Sequence, residues 1–304
     1  MKLDKISKNL MEKIAKLHDI PNGAVSFRRN GKGEIVNSTP NIEIKKKDDL
    51  SGIDIFVRST CKGEACHIPV IITENNFFDL VYNDFYIEDN AQVVIVAGCG
   101  IHSSGESGHD GIHTFHVGSN ALVTYVENHL ATGEGTNKSL NPTTVLTIGE
   151  NSTFTMETTQ IGGVDYSNRK TKATLKAGAV LNVNEKIMTS RFNVAKTDFV
   201  VNLVGQNSKC NIVSRSVAKE ESEQVFKSTL VGKNECFGHV ECDGILLDNA
   251  TMDSVPRVSA KHILAALSHE ASIGKIAGEQ ITKLMTLGLT EKQAEEKIIE
   301  GFLK

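Results

Sequence analysis

Short runs of alternating apolar and polar residues occupy the middle of the chain, among them Leu122–Val126, Val145–Ile148, Thr153–Thr155, Val180–Val183, Phe199–Val204 and Cys210–Val213. A period of two sends one side chain inward and the next outward, so each run reads as a half-buried strand. Small clusters of Gly, Asn, Ala or Ser separate the runs. They include Asp89-Asn90-Ala91, Gly118-Ser119-Asn120-Ala121, Gly149-Glu150-Asn151-Ser152, Ala177-Gly178-Ala179, Gly205-Gln206-Asn207-Ser208 and Gly232-Lys233-Asn234. From Asn90 through Gly118, Gly149, Gly178, Gly205 and Gly232 the intervals are 28, 31, 29, 27 and 27 residues. Near-equal spacing predicts a stacked unit of two or more strands with a tight turn at a fixed place. The rival is an ordinary β-sandwich whose spacing is accidental; the regularity favours a β-solenoid.

Both ends of the chain change period. Leu3, Ile6, Leu10, Ile14 and Leu17 recur at spacings of 3, 4, 4 and 3, which predicts an amphipathic helix within residues 1–20. After Asp248 the strand pattern fades and Pro256 punctuates. A helical stretch is expected from Ala260–Leu267 onward, continued by Ile273, Ile276, Ile281, Leu284 and Met285. Gly274 and Gly278 sit awkwardly in such a helix, each costing about 1 kcal/mol relative to Ala. Gly288 suits a helix C-terminus, and Thr290-Glu291-Lys292-Gln293 is a capping box opening a last helix with Ile298, Ile299, Phe302 and Leu303 on its apolar side. The expected division is therefore a helix over 1–20, a β-solenoid over 21–255 and a helical subdomain over 256–304.

Composition narrows the function classes. The 304 residues carry 33 Lys and Arg against 37 Asp and Glu, a net charge of −4 that lacks the basic footprint of a nucleic-acid binder. The longest purely apolar run is Val93–Ala97, far short of the roughly 20 residues that span a bilayer, and Met1–Leu17 has no secretory core. A cytoplasmic protein is expected. Six Cys, scattered and without a CxxC pair, point to reduced thiols rather than a disulfide scaffold. No Walker A, dinucleotide-binding or GxSxG pattern occurs in the required context, so nucleotide hydrolysis by this chain is not expected.

Two segments carry candidate chemistry. Cys99-Gly100-Ile101-His102, His109-Asp110-Gly111-Ile112-His113 and His116 gather thiol, imidazole and carboxylate within 18 residues, a donor set suited to a transition metal. Their spacing matches no standard site, and histidines that satisfy turn backbone groups are the commoner reading. Metal binding by Cys99, His102, His109 and His113 therefore stays open. In Cys236–Asp243, alternation puts Cys236, Gly238, Val240 and Cys242 on one face and His239 and Glu241 on the other. Cys242 reads either as a thiolate or as a small buried hydrophobe. Ser268-His269-Glu270 offers a further carboxylate.

The segments Gly238-His239-Val240-Glu241-Cys242-Asp243, His269–Ile276, Gly288-Leu289 and Ile299-Glu300-Gly301-Phe302 together resemble the SufB/SufD family of iron–sulfur cluster assembly scaffolds. Gly162-Gly163-Val164-Asp165 and Ser214–Lys219 fit the same family, and the short length with the GCGIH and HDGIH segments resembles its minimal archaeal and anaerobic form, SmsB. The resemblance implies a right-handed parallel β-helix followed by helices, and a scaffold rather than an enzyme. It also implies a homodimer that recruits two copies of a SufC-like ABC-type ATPase through the C-terminal helices and passes a transient iron–sulfur cluster to apo-proteins. Carried over residue by residue, Cys242 matches the sulfur-accepting, cluster-binding cysteine and Glu270 the glutamate that works with it, with His269 a further metal-ligand candidate. One departure stands out: where larger bacterial members end a Tyr-x-Glu-x-Cys segment in a sulfur-receiving cysteine, this chain has Tyr125-Val126-Glu127-Asn128-His129, and an imidazole cannot take up a persulfide. Two other classes compete. A polysaccharide-active β-helix enzyme is disfavoured by 5% aromatics and no Trp, and a purely structural solenoid by the polar helical tail.

Overall fold

Strand alternation, repeated at the spacing described above, closes the chain into a flattened solenoid of about eight turns, with 59% of residues in strands. The structure is a computed structural model and describes residues 3–304. Met1 and Lys2, which open the expected N-terminal helix, lie outside the described residues.

Each turn contributes one strand to each of two parallel sheets. The first sheet stacks Lys62–Ile72, Gln92–His102, Leu122–Thr132, Thr153–Ile161, Val180–Thr189, Ser208–Ala218, Cys236–Leu246 and Ala265–Gly274 in chain order. The second stacks Gly52–Val57, Phe77–Ile87, Ser107–Val117, the pair Lys138–Leu140 and Thr143–Ile148, Tyr166–Leu175, Val194–Leu203, Glu223–Gly232 and Thr251–Ala260. At the N-terminal end the sheets are closed by antiparallel pairings of Ala24–Arg29 with Lys32–Asn37 and of Ile42–Lys46 with Gly52–Val57.

The recurring Asn and Gly markers form one corner. Asn90, Asn120, Asn151, Gly178 and Asn207 all have φ between 55° and 65°, the left-handed region that Asn and Gly reach at least cost. Their N–H groups donate to carbonyls of the following coil at 2.7–2.9 Å, so the corners form a ladder of their own. Inside, like residues stack on like. Phe85 lies on Phe115 with centroids 4.1 Å apart, and Phe115 meets Tyr125 and Phe154 edge-on at 5.1 Å.

The N-terminal helix α1 (Lys5–Ala15) is capped by Asp4, whose carboxylate accepts from the Ser7 backbone N–H at 2.8 Å. Leu10, Met11 and Ile14 are buried against the outer face of the first sheet, whereas Ile6 of the expected stripe is exposed. Gly98 and Gly100 make that approach possible: a Cβ at Gly98 would stand 2.8 Å from the Ile14 carbonyl oxygen, and one at Gly100 would stand 3.1 Å from Leu10 Cβ. The two glycines flanking Cys99 therefore face the helix while the thiol faces the lumen.

At the other end the expected helical stretch from Ala260 is strand. Thr251–Ala260 and Ala265–Gly274 complete the two sheets, and helix begins only at α2 (Gly278–Thr286), followed by α3 (Glu291–Phe302). The awkward glycines are resolved by this shift, since Gly274 ends a strand and Gly278 opens a helix. Gly288, with φ +93°, follows α2, and Thr290 and Gln293 make the reciprocal capping box of α3. Ala294 and Ile299 of α3 are buried, and Lys186 Nζ donates to the Lys304 carbonyl at 2.8 Å, tying the tail to the first sheet. No residue of α2 is buried.

Candidate metal centre

Cys242 lies on Cys236–Leu246, one strand short of the C-terminal edge of the first sheet. Cys236, Gly238, Val240 and Cys242 face the lumen and are buried, with His239 and Glu241 on the outer face, as alternation predicts. Burial pushes the Cys242 thiol up to about 11, with the neighbouring Ser254 hydroxyl acting in the opposite sense. In the isolated chain Cys242 is thus a neutral thiol, to be deprotonated by whatever binds it. Ser254 Oγ has no hydrogen-bond partner, and neither does His269 Nε2, although both atoms are buried.

The next strand sets the geometry of the other two predicted ligands. Register places Ala271 beside Cys242, His269 beside Val240 and Glu270 beside Glu241. Cys242 and His269 therefore share the lumenal face of adjacent strands, and Glu270 is exposed on the outer face. Burial, and then the neighbouring His239, lower the His269 pKa, which keeps its imidazole neutral and its lone pair available. Outside, His239 Nδ1 meets Ser268 Oγ at 2.9 Å, and Glu241 is raised because it shares a hydrogen bond with Asp243. Among the described residues, no three Cys, His, Asp or Glu side chains stand ready-made around a common metal position.

Beneath Cys242 the ladder continues inward as Ser214, Glu185, Thr158 and Glu127, one residue per coil. Ser214 Oγ donates to Glu185 at 2.9 Å and Thr197 Oγ1 donates at 3.1 Å. Arg169, entering from the second sheet, is hydrogen-bonded to Glu127, stands 3.6 Å from Glu185 and reaches His129 Nδ1 at 3.3 Å. Burial raises Glu185 above the ordinary carboxylate range despite Arg169 and its hydroxyl partners. Against the same burial, Arg169 and His129 hold Glu127 well below that range. Sequence reasoning singled out Glu127 and His129 only through resemblance and missed Arg169 and Glu185. The available signal was a charged residue at a position that alternation assigns to the interior.

The Cys99 and histidine segment separates by face. Cys99, His109 and His113 point into the lumen, while His116 lies outside, stacked on Tyr86 at 5.0 Å. His102 Nδ1 meets Thr132 Oγ1 at 2.9 Å at the end of its strand. All four histidines are on strands, so the turn-satisfying role expected of them does not apply. The six cysteines are free and buried, and burial lifts Cys66 and Cys210 to about 12.

Comparison with known proteins agrees with this architecture. Residues 72–302 match the family model described as SUF system FeS cluster assembly, SufBD core domain. An iron–sulfur cluster assembly SufBD family protein of Methanocaldococcus jannaschii is 28% identical over 86% of this chain and 84% of its own. One of Archaeoglobus fulgidus is 29% identical over 84% of this chain and 69% of its own, and one of Pyrococcus horikoshii 27% identical over 88% and 83%.

Proposed function

Because the chain belongs to the SufBD family of iron–sulfur cluster assembly proteins, we propose that it is the scaffold on which a cluster is built and from which it is handed to apo-proteins. The observation that carries this reading is the C-terminal mouth of the lumen. There Cys242 lies one strand inside an unpaired edge, accompanied by two buried polar atoms, on Ser254 and His269, that nothing in the chain satisfies. A native interior seldom leaves such groups unmatched unless something else matches them. Thiolate and imidazole suit iron, and the exposed carboxylate of Glu270 offers a labile hard ligand from the outer face.

The same end suits a homodimer. Both sheets finish in strands with an open side, and Val255, Val258, Ile263 and Leu264 are at least half exposed there. Edge strands of this kind pair with another chain unless they are protected. A second copy seated on this edge covers the apolar residues and brings two Cys242 mouths together. The unpartnered α2, with Met285 and Leu287 exposed, is the docking element for a SufC-like ABC-type ATPase, in a two-plus-two complex that leaves nucleotide hydrolysis to the partner. Among the described residues no helix is long and apolar enough to cross a membrane. Six unpaired thiols suit a reducing cytoplasm.

The test is anaerobic co-expression with the ATPase, followed by iron and sulfide analysis and Mössbauer spectroscopy. Wild type is expected to hold a stoichiometric cluster and Cys242→Ala none, with ATPase association intact; a cluster retained in Cys242→Ala would sink the assignment. A chain ending at Ile276 keeps every strand and loses α2 and α3. It is expected to retain its β circular dichroism and to lose ATPase co-purification, and undiminished capture would reject the helices as the docking element.

A further inference from the structure

A second set of soft donors lies deep in the lumen, five strand spacings from Cys242. At about 4.8 Å per spacing this is about 24 Å away along the solenoid. Cys99, His109, His113, Glu127 and His129 line a small enclosed cavity there of about 20 Å³, room for one water-sized occupant. The cavity shares Ile68, Val70 and Asn83 with a more open pocket of about 200 Å³ at the N-terminal end of the solenoid, which gives it a route to solvent.

The two histidines of the HDGIH segment face this cavity across Gly111. A Cβ at Gly111 would stand 3.1 Å from His113 Nε2 and 3.4 Å from His109 Nε2, so the two ring nitrogens converge on the space that the glycine leaves. Behind each ring stands a carboxylate relay. His113 Nδ1 meets Tyr125 Oη at 2.7 Å, and that hydroxyl donates to Glu127 at 2.9 Å, which leaves Nε2 as the lone-pair nitrogen. His109 Nδ1 lies 3.5 Å from Asp79, whose carboxylate is clasped by Arg28 through two hydrogen bonds of 2.7 Å. His109 is 93% buried and its Nδ1 makes no hydrogen bond. An imidazole held through one nitrogen by a carboxylate, with the other nitrogen aimed at a shared space, is the outer support that metal-ligating histidines use.

We propose that this cavity is a binding site for one divalent transition-metal ion, held by Nε2 of His109 and His113, with Cys99 and His129 of the neighbouring strands as the further donors. Imidazole and thiol select a borderline ion of the iron(II) or zinc class over magnesium or calcium. The ion takes the His113 lone pair that the Asn83 side-chain amide now occupies at 3.2 Å, and the rings turn toward it, since the donors do not yet surround one point. Binding here does not depend on the scaffold reading, because no residue of the Cys242 mouth takes part.

Cobalt(II) is the probe. The metal-free chain, prepared anaerobically, is titrated with Co²⁺ alone and followed by calorimetry and by the visible bands of four-coordinate cobalt. One high-affinity equivalent is expected in wild type and equally in Cys242→Ala. His109→Ala is expected to weaken it about 10–100-fold. Gly111→Ala, whose backbone is not in the left-handed region, puts a methyl group into the shared space and is expected to weaken binding comparably. If His109→Ala fails to fold by circular dichroism, Gly111→Ala decides. No visible bands in wild type would overturn the proposal. So would unchanged affinity in a folded Gly111→Ala, or bands lost in Cys242→Ala.

Discussion

Between Glu127 and Glu185 the lumen buries two carboxylates around one guanidinium, and hydroxyls or imidazoles take up the remaining valences. Two coils on, around Cys242, Ser254 Oγ and His269 Nε2 are buried and matched by nothing. The backbone ladder is the same in both places, so the difference lies wholly in the inward side chains. In the middle they complete one another; at the C-terminal mouth they are left with spare valence. Polarity inside a solenoid is therefore not itself a sign of a binding site. Unmet polarity is, and removing one partner separates the two regions.

The largest effect is expected at Arg169. Arg169→Met leaves Glu127 and Glu185 as buried carboxylates without their cation, and breaking a buried pair from one side costs about 3–5 kcal/mol. Chemical denaturation of the variant should show that loss. Adding Glu127→Gln and Glu185→Gln to it should restore most of the stability. A loss below about 1 kcal/mol would mean that the middle column is as loosely satisfied as the mouth.

Acid should also act first on the middle. Burial lowers the His113 pKa from 6.5 to about 4, so the folded chain holds this ring neutral while the unfolded chain protonates it. The unfolded state then binds more protons between those values. Stability is full above about pH 6.5 and falls as pH drops toward 4, by about 3 kcal/mol at 1.36 kcal/mol per unit. Glu127, held low, adds a further loss below its ordinary range, and Glu185, held high, opposes it by gaining stability as it protonates. Denaturation midpoints across that range should slope in wild type and flatten in His113→Gln. An unchanged slope would remove His113 as the cause.

Alternation and turn chemistry made most of the solenoid legible, and the reason shows where they did not. In the interior coils a neighbour on each side forces every second residue inward, as in Val194–Leu203, where buried and partly exposed positions alternate without a break. Thr251–Ala260 and Ala265–Gly274 have a neighbour on one side only, and most of their residues remain exposed. Without that demand the sequence carries no period of two, and Ala260–Leu267 reads as helix. Pro256 misled in the same way, since an edge strand tolerates the N–H that proline lacks. Cys242 was visible as an inward residue but not as a ligand until the family resemblance was used. The Glu127, Arg169 and Glu185 column was hidden because its members meet only when separate coils stack.

The smallest change in stability is expected at the mouth, where it discriminates most sharply. Ser254→Ala removes a buried hydroxyl that has no partner, so the variant recovers its desolvation cost and should be as stable as wild type or slightly more so. The thiol should nonetheless respond. The Ser254 hydroxyl favours the charged form of Cys242, and without it the pKa should rise beyond about 11 and alkylation of the apo-protein at a fixed alkaline pH should slow. Stability unchanged with reactivity reduced identifies a group kept for what Cys242 binds. A loss of more than about 1 kcal/mol would instead make Ser254 structural and erase the distinction from the Arg169 column.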